Sequence, residues 1–195
     1  TPESCTREEM IEAIGPKTAG IIHLESADRD GRFVLLEDTI EIAHSHDLPL
    51  LLDAASSLPP RENLTKFVNM GVDLVSFSGG KAVRSIQSTG MLLGNPKWVE
   101  YARLNNAPNS TVARAQKVSK EEIAGLLTAV KSFLAVDEEE EMANYRRDMQ
   151  VIVDQVAEVP GVTASVLHEP GAFYRLPHAV IEFTESWKGP DSTAM

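Results

Sequence analysis

Two stretches decide how this chain folds: Leu50-Leu51-Leu52-Asp53-Ala54-Ala55 and Leu74-Val75-Ser76-Phe77-Ser78-Gly79-Gly80-Lys81. Each is a short apolar run that ends on a polar group, the pattern of a buried strand whose carboxyl end reaches a rim. Asp53 and Lys81 lie 28 positions apart, room for one loop, one helix and one strand. The intervening Pro59-Pro60 predicts a helix start, and Leu64, Phe67 and Val68 form its apolar face before Gly71 stops it. The unit therefore reads as βαβ, and both polar side chains are expected on the same rim of a parallel sheet.

The same pattern extends in both directions. Upstream, Gly20 to Leu24 reads as a strand and Leu36 to His46 as a helix, with Leu36, Ile40 and Ala43 on one side. Thr6-Arg7-Glu8-Glu9 is a capping box that opens a short first helix running to about Gly15. Downstream, Thr89 to Leu93 is a further strand. Ser119-Lys120-Glu121-Glu122 is a second capping box, followed by helical spacing to Val159, with a kink expected near Val136-Asp137. The Glu138 to Glu141 run reads as a solvated helix face, and Val162 to Leu167 and Ala179 to Phe183 as strands of a smaller domain. The expected class is α/β, with a mainly parallel sheet over 1–118, a connector helix over 119–159 and a small α+β domain over 160–195. The start at Thr1 without methionine and the stop just after a strand-like segment predict a piece of a longer protein.

Bulk properties narrow the chemistry. The 195 residues are 43% hydrophobic and 24% charged, with a formal net charge of −11. That balance disfavours non-specific binding to nucleic acid or anionic lipid, so any anionic ligand needs a local basic cluster. Cys5 is the single cysteine, which excludes an internal disulfide and fits a reducing, cytoplasmic setting. No apolar run approaches the roughly 18 residues of a membrane span, and no secretory signal is visible.

Ligands of open α/β sheets bind beyond the carboxyl ends of the strands, where Asp53 and Lys81 are expected. A lysine amine there can form a Schiff base with the aldehyde of pyridoxal phosphate (PLP), and an aspartate can keep the pyridine nitrogen protonated. Ser78 and Gly79-Gly80 are placed to help hold the phosphate. Other readings remain. A Gly-Gly-Lys turn can be a plain surface turn, and a strand-end aspartate can simply cap a loop. Ser78 to Lys81 also satisfies S-x-x-K, but the accompanying S-D-N and K-T-G are absent. It is no Walker A loop, since Val75 and Ala82 stand where glycine and Ser or Thr belong. His44 and His46 do not share a helix face and read as solvated; Trp98 and Trp187 read as packing residues.

The run from Asp53 to Leu64, then Gly71 to Lys81, resembles the selenocysteine-synthase-like family of PLP enzymes, nearest its D-glucosaminate-6-phosphate ammonia-lyase branch. Val112-Ala113-Arg114-Ala115-Gln116-Lys117-Val118 is similar to the segment entering that family's interdomain helix. The resemblance covers roughly residues 18 to 135 and implies the large domain of PLP fold type I, in part. It implies pyridoxal 5'-phosphate as cofactor, Lys81 as the Schiff-base lysine, Asp53 as the pyridine-nitrogen partner and Ser78 as a phosphate-side hydroxyl. It also implies Arg114, Lys117 and Gln87 as substrate-binding residues, although Arg114 and Lys117 read equally as a surface pair at a helix entry. Ser85-Ile86 replaces the Gly-Pro of the family's Gly-Pro-Gln turn. The phosphate turn and the ring-stacking residue are expected before Thr1. The implied activity is α,β-elimination of ammonia or water from a small anionic amino acid or amino-sugar acid, by a homo-oligomer of at least two subunits. A selenium transferase acting on seryl-tRNA and a non-catalytic homologue are the alternatives.

Overall fold

A computed structural model describes residues 4–25, 33–168 and 176–190. They fall into two compact units, Thr1–Ala135 and Val136–Met195. In the first, β1 (Ile21–Leu24), β2 (Leu50–Asp53), β3 (Leu74–Ser78) and β4 (Gly90–Gly94) form one sheet in that order. β1, β2 and β3 are parallel, joined through α2 (Leu36–Ser45) and α3 (Asn63–Met70). The link between β3 and β4 is residues 79–89, shorter than the roughly twelve residues of a parallel crossover. The chain therefore turns back, and β4 pairs antiparallel with Val75 opposite Leu93. The sheet is mixed and mostly parallel.

Alternation along the strands builds the core. Leu50 and Leu52 of β2 and Val75 and Phe77 of β3 point into it, all at most 3% exposed. From α2 come Thr39, Ile42 and Ala43; from α3 comes Phe67, whose ring stacks on Phe77 at 6.4 Å between centroids. Gly71 ends α3 at φ 111°, a left-handed cap that favours glycine. α5 (Lys120–Ala135) adds Phe133, over whose ring the Arg61 guanidinium sits at 4.5 Å. Arg61 Nε also donates to the Phe133 carbonyl at 2.6 Å, satisfying an otherwise orphaned helix-end acceptor. α1 (Arg7–Glu12) carries the expected capping box, and Arg7 pairs with Asp38 and Glu41 of α2.

Three features depart from expectation. Pro59-Pro60 does not open α3: the helix begins at Asn63 behind Glu62, and Leu58 and Pro59 are instead buried. A helix with no expected counterpart, α4 (Pro96–Asn105), follows β4; Asn95 caps it by accepting from Lys97 N, and Pro96 holds its first turn. The helical stretch over 119–159 is two helices, α5 and α6 (Glu138–Val156), parted where the kink was expected. The Asp137 carboxylate accepts from the backbone of Glu139 and Glu140, which starts α6 afresh. Glu138 to Glu141 form its first turn, where negative charge suits the helix dipole. Glu139 and Glu140 are exposed and Glu138 and Glu141 half-buried.

In the second unit α6 packs on an antiparallel pair, β5 (Val162–Leu167) and β6 (His178–Phe183), with Val166 opposite Ala179. Trp187 packs on Phe183 at 4.8 Å. Among the described residues no helix is long and apolar enough to cross a membrane.

Candidate active site

Parallel pairing aligns the carboxyl ends of the strands. Leu24 of β1 pairs with Asp53, and Asp53 with Ser76 of β3, so Asp53 ends the middle of three parallel strands. Lys81 follows the end of β3 by three residues and lies on the same rim. Asp53 Oδ1 accepts from Ala55 N at 3.0 Å, which folds the turn after β2 over the strand end. Lys81 Nζ donates to Ser56 Oγ, in that same turn, at 2.7 Å. The lysine and the aspartate turn are thus in direct contact. Ser56 had no role on sequence grounds, although a hydroxyl three residues after a strand-end aspartate was there to be noticed.

The loop that carries Lys81 is closed by its own backbone. Gly79 N donates to Thr89 O at 2.9 Å, Ser85 N to Gly79 O at 2.8 Å and Arg84 N to Lys81 O at 2.8 Å. Two glycines make this closure possible. A Cβ on Gly79 would stand 2.2 Å from Thr89 Oγ1 and 2.9 Å from Leu126 Cδ1; one on Gly80 would stand 2.7 Å from Gln87 Cα. Thr89 cannot easily give way, being 7% exposed and bonded through its hydroxyl to Ile86 O at 2.6 Å. Gly79→Ala should therefore destabilise the protein by about 1–3 kcal/mol, the usual cost of overpacking. Urea unfolding would measure it, and an unchanged midpoint would show that the loop relaxes freely. The Ser85-Ile86 replacement is accommodated in this closure, with the Ser85 hydroxyl buried and without a hydrogen-bond partner among the described residues.

The other expected site residues fall in two places. Ser78 ends β3 opposite Gly90, and Gln87 lies against Gly80, both beside the lysine loop. Arg114 and Lys117 line a cavity of about 700 Å³ together with Ser88, Thr89, Gly90 and Glu122. Lys81, Asp53 and Gln87 are not among its lining residues, so the basic pair meets the far end of the lysine loop rather than the amine itself. The Arg114 guanidinium donates to the Pro108 carbonyl. Glu122 opposes the two cations. Hydrogen bonds from the Ser88 hydroxyl and from Ser119 hold its carboxyl below the usual range, so it is ionised at neutral pH.

Within β1, His23 accepts from or donates to Thr39 Oγ1 at 3.1 Å, and burial lowers its pKa against the opposing pull of Glu25 and Glu37. His44 and His46 face different partners: His44 Nε2 lies 3.3 Å from Asp73 Oδ2, and His46 Nδ1 lies 2.9 Å from Ile42 O.

Residues 9–159 match the model of the SelA family, described as L-seryl-tRNA selenium transferase. The chain belongs to this family. Among curated relatives of this SelA-family chain, 5'-C-glycyluridine monooxygenase-decarboxylase of a Streptomyces species is 31% identical over 81% of the chain and 38% of its own length. D-glucosaminate-6-phosphate ammonia lyase of Salmonella typhimurium is 31% identical over 66% of the chain and 33% of its own length. A solved structure of D-glucosaminate-6-phosphate ammonia-lyase superposes with a TM-score of 0.69 at 24% identity, over 94% of this chain and 46% of that one. A structure of SPT with PLP shares the fold at a TM-score of 0.51 and 16% identity, over 85% of this chain and 45% of that one. The chain thus spans less than half the length of these proteins. Its fold is part of PLP fold type I, and the cofactor is pyridoxal 5'-phosphate. The donor set fits that group: an amine for the aldehyde, a carboxylate one strand away for the pyridine nitrogen, and hydroxyls of Ser56 and Ser78 on the same rim.

Proposed function

We propose that the full-length protein is a PLP-dependent lyase that eliminates ammonia or water from an anionic amino acid or amino-sugar acid. The observation that carries this reading is the contact of the Lys81 amine with the turn that begins at Asp53. PLP, when bound, supplies an electron sink that weakens the bonds at the substrate's amino carbon. Lys81 attaches the cofactor. Its Nζ would also take the proton from the substrate's α carbon, and the electron pair of that C–H bond would form the new double bond as the β substituent departs with its own bonding pair. Asp53 holds a proton on the ring nitrogen by its negative charge, and Ser78 contributes a hydroxyl on the phosphate side. Gln87, Arg114 and Lys117 bind the substrate, the two cations taking its anionic end. Two positive charges against the single negative charge of Glu122 leave the cavity net positive in a chain of net charge −11.

The protein works as a homo-oligomer of at least two subunits. Val112, two residues before Arg114, is 91% exposed, an apolar side chain suited to cover by a second copy. Arg114→Ala should raise KM for anionic substrates about tenfold, the worth of one charge-assisted hydrogen bond, and leave the cofactor absorbance unchanged. Unchanged kinetics would make Arg114 a surface residue at a helix entry.

The reaction itself is tested by incubating the full-length holoprotein with amino acids and amino-sugar acids and following keto-acid and ammonia release. A second reading, loss of the substrate carboxylate, is favoured by the Streptomyces relative, whose name includes a decarboxylase activity. Carbon dioxide without ammonia would select it. Selenium incorporation into seryl-tRNA would select the transferase that the family description names. No product from any of them would leave a non-catalytic homologue.

A further inference from the structure

We propose that Glu25 is a positioning residue for the Lys81 amine, acting through the turn on which Ser56 stands; this rests on Lys81 being the cofactor lysine. Glu25 follows the last residue of β1 and grips the turn after β2 at both ends. At the near end its backbone N–H donates to Asp53 O at 2.9 Å. At the far end its carboxylate Oε2 accepts from Ser57 Oγ at 2.6 Å. That length is typical of a hydroxyl donating to a carboxylate, among the stronger hydrogen bonds in proteins. Ser57 has no freedom to satisfy itself elsewhere by moving into solvent, because it is 0% exposed. Its carbonyl is occupied by Asn63 Nδ2 at 2.7 Å, with Asn63 only 2% exposed, and its N–H by Ala54 O at 3.0 Å.

Residues 53–57 are therefore bracketed by one acidic residue, its backbone at one end and its side chain at the other, just past the end of the neighbouring strand. Between the two grips, Ser56 is exposed and turns its hydroxyl to Lys81 Nζ at 2.7 Å. An exposed lysine amine on a four-carbon stem otherwise samples many rotamers, and holding it needs an acceptor that is itself fixed. Ser57 fixes Ser56, and Glu25 fixes Ser57. Without the carboxylate the buried Ser57 hydroxyl loses its acceptor, and the turn must shift to satisfy it. The same bracket holds the backbone of Asp53, so lysine and aspartate are registered to each other through Glu25 and the turn it holds.

The test measures the Lys81 amine in full-length protein stripped of cofactor, using trace acetylation with acetic anhydride and peptide mapping, with Lys66 and Lys97 as internal references. An amine held against a fixed acceptor reacts more slowly than a free one. Ser56→Ala and Glu25→Ala should each raise Lys81 labelling relative to the references by about threefold or more, the discounted worth of one exposed hydrogen bond. Glu25→Gln, whose amide oxygen can still accept from Ser57, should restore the wild-type ratio. A merely structural Glu25 would change all three lysines together. Wild-type Lys81 labelling in a folded Glu25→Ala protein overturns the proposal, and so does Glu25→Gln behaving like Glu25→Ala. If Glu25→Ala fails to fold, Ser57→Ala decides, since it removes the same bond without stranding a buried donor: raised Lys81 labelling supports the bracket and unchanged labelling overturns it. Failure of the cofactor-lysine reading would show separately, as borohydride-fixed cofactor on a residue other than Lys81 in the holoprotein.

Discussion

Lys81→Ala in the full-length holoprotein is expected to abolish turnover and covalent attachment of the cofactor together. Two proposed roles are lost at once: the nucleophile that anchors the aldehyde, and the base for the α-proton. General-base catalysis alone contributes about 10²- to 10⁴-fold, so the combined loss should exceed roughly 10⁴. The fold should survive, because Lys81 is exposed and its amine bonds to an exposed serine, while the backbone bond from Arg84 N to Lys81 O is kept in the variant. Borohydride reduction followed by peptide mapping should place the pyridoxyl group on Lys81 in the wild type and nowhere in the variant. The lysines on either side in the sequence sit badly for the task. Lys97 lies in the first turn of α4, with its ammonium 4.8 Å from the Trp98 ring centre. Lys66 lies on α3, among Phe67, Met70 and Ile22 around a separate cavity. A pyridoxyl label on either would sink the assignment, as would a Lys81→Ala enzyme that keeps its turnover.

What the sequence made legible follows from which forces act locally. Apolar runs such as Leu50-Leu51-Leu52 announce buried strands, and the capping boxes at Thr6 and Ser119 are formed within four residues, so both appear in the structure as read. Gly71 at the end of α3 was legible for the same reason. The start of α3 was not. Pro59-Pro60 fits a first helical turn by local rules, but burial of Leu58 and Pro59 and the bond from Asn63 to Ser57 O place the helix three residues on. α4 was missed although Asn95-Pro96 is a sound start signal, because its residues bury little: none of them is fully buried, so the apolar stripe is weak.

The site divides along the same line. Asp53 and Lys81 stand out because strand ends and glycine turns mark themselves in sequence. The contacts that unite them span 25 positions from Lys81 to Ser56 and 32 from Ser57 to Glu25, and no local pattern announces such pairs. Nor does spacing reveal that Arg114 and Lys117 open onto a cavity at the far end of the lysine loop.

Asp53→Asn is expected to lower turnover by about 10²- to 10³-fold while leaving the protein folded and the cofactor bound. The carboxylate does two things that this substitution separates. Its Oδ1 accepts from Ala55 N at 3.0 Å, a turn bond that the isosteric amide oxygen can keep. Its charge faces the rim where the pyridine nitrogen is proposed to lie, and only the charge is removed. An opposite charge at close range favours a protonated partner by about one to three pKa units, each worth about 1.4 kcal/mol. Losing it costs up to about a thousandfold in the protonated, electron-accepting form of the ring. Because that loss is a protonation deficit, Asp53→Asn should regain part of its turnover as the pH is lowered, where solvent protons replace the missing bias. Asp53→Ala should show the same kinetic loss with about 1 kcal/mol of added instability, since it also strands the Ala55 donor. Both variants should keep the cofactor through Lys81, so their visible absorbance should persist. Steady-state turnover against pH, with melting curves beside it, distinguishes these outcomes. Wild-type turnover in Asp53→Asn would show that the charge does no catalytic work, and would reduce Asp53 to the cap of the turn that follows β2.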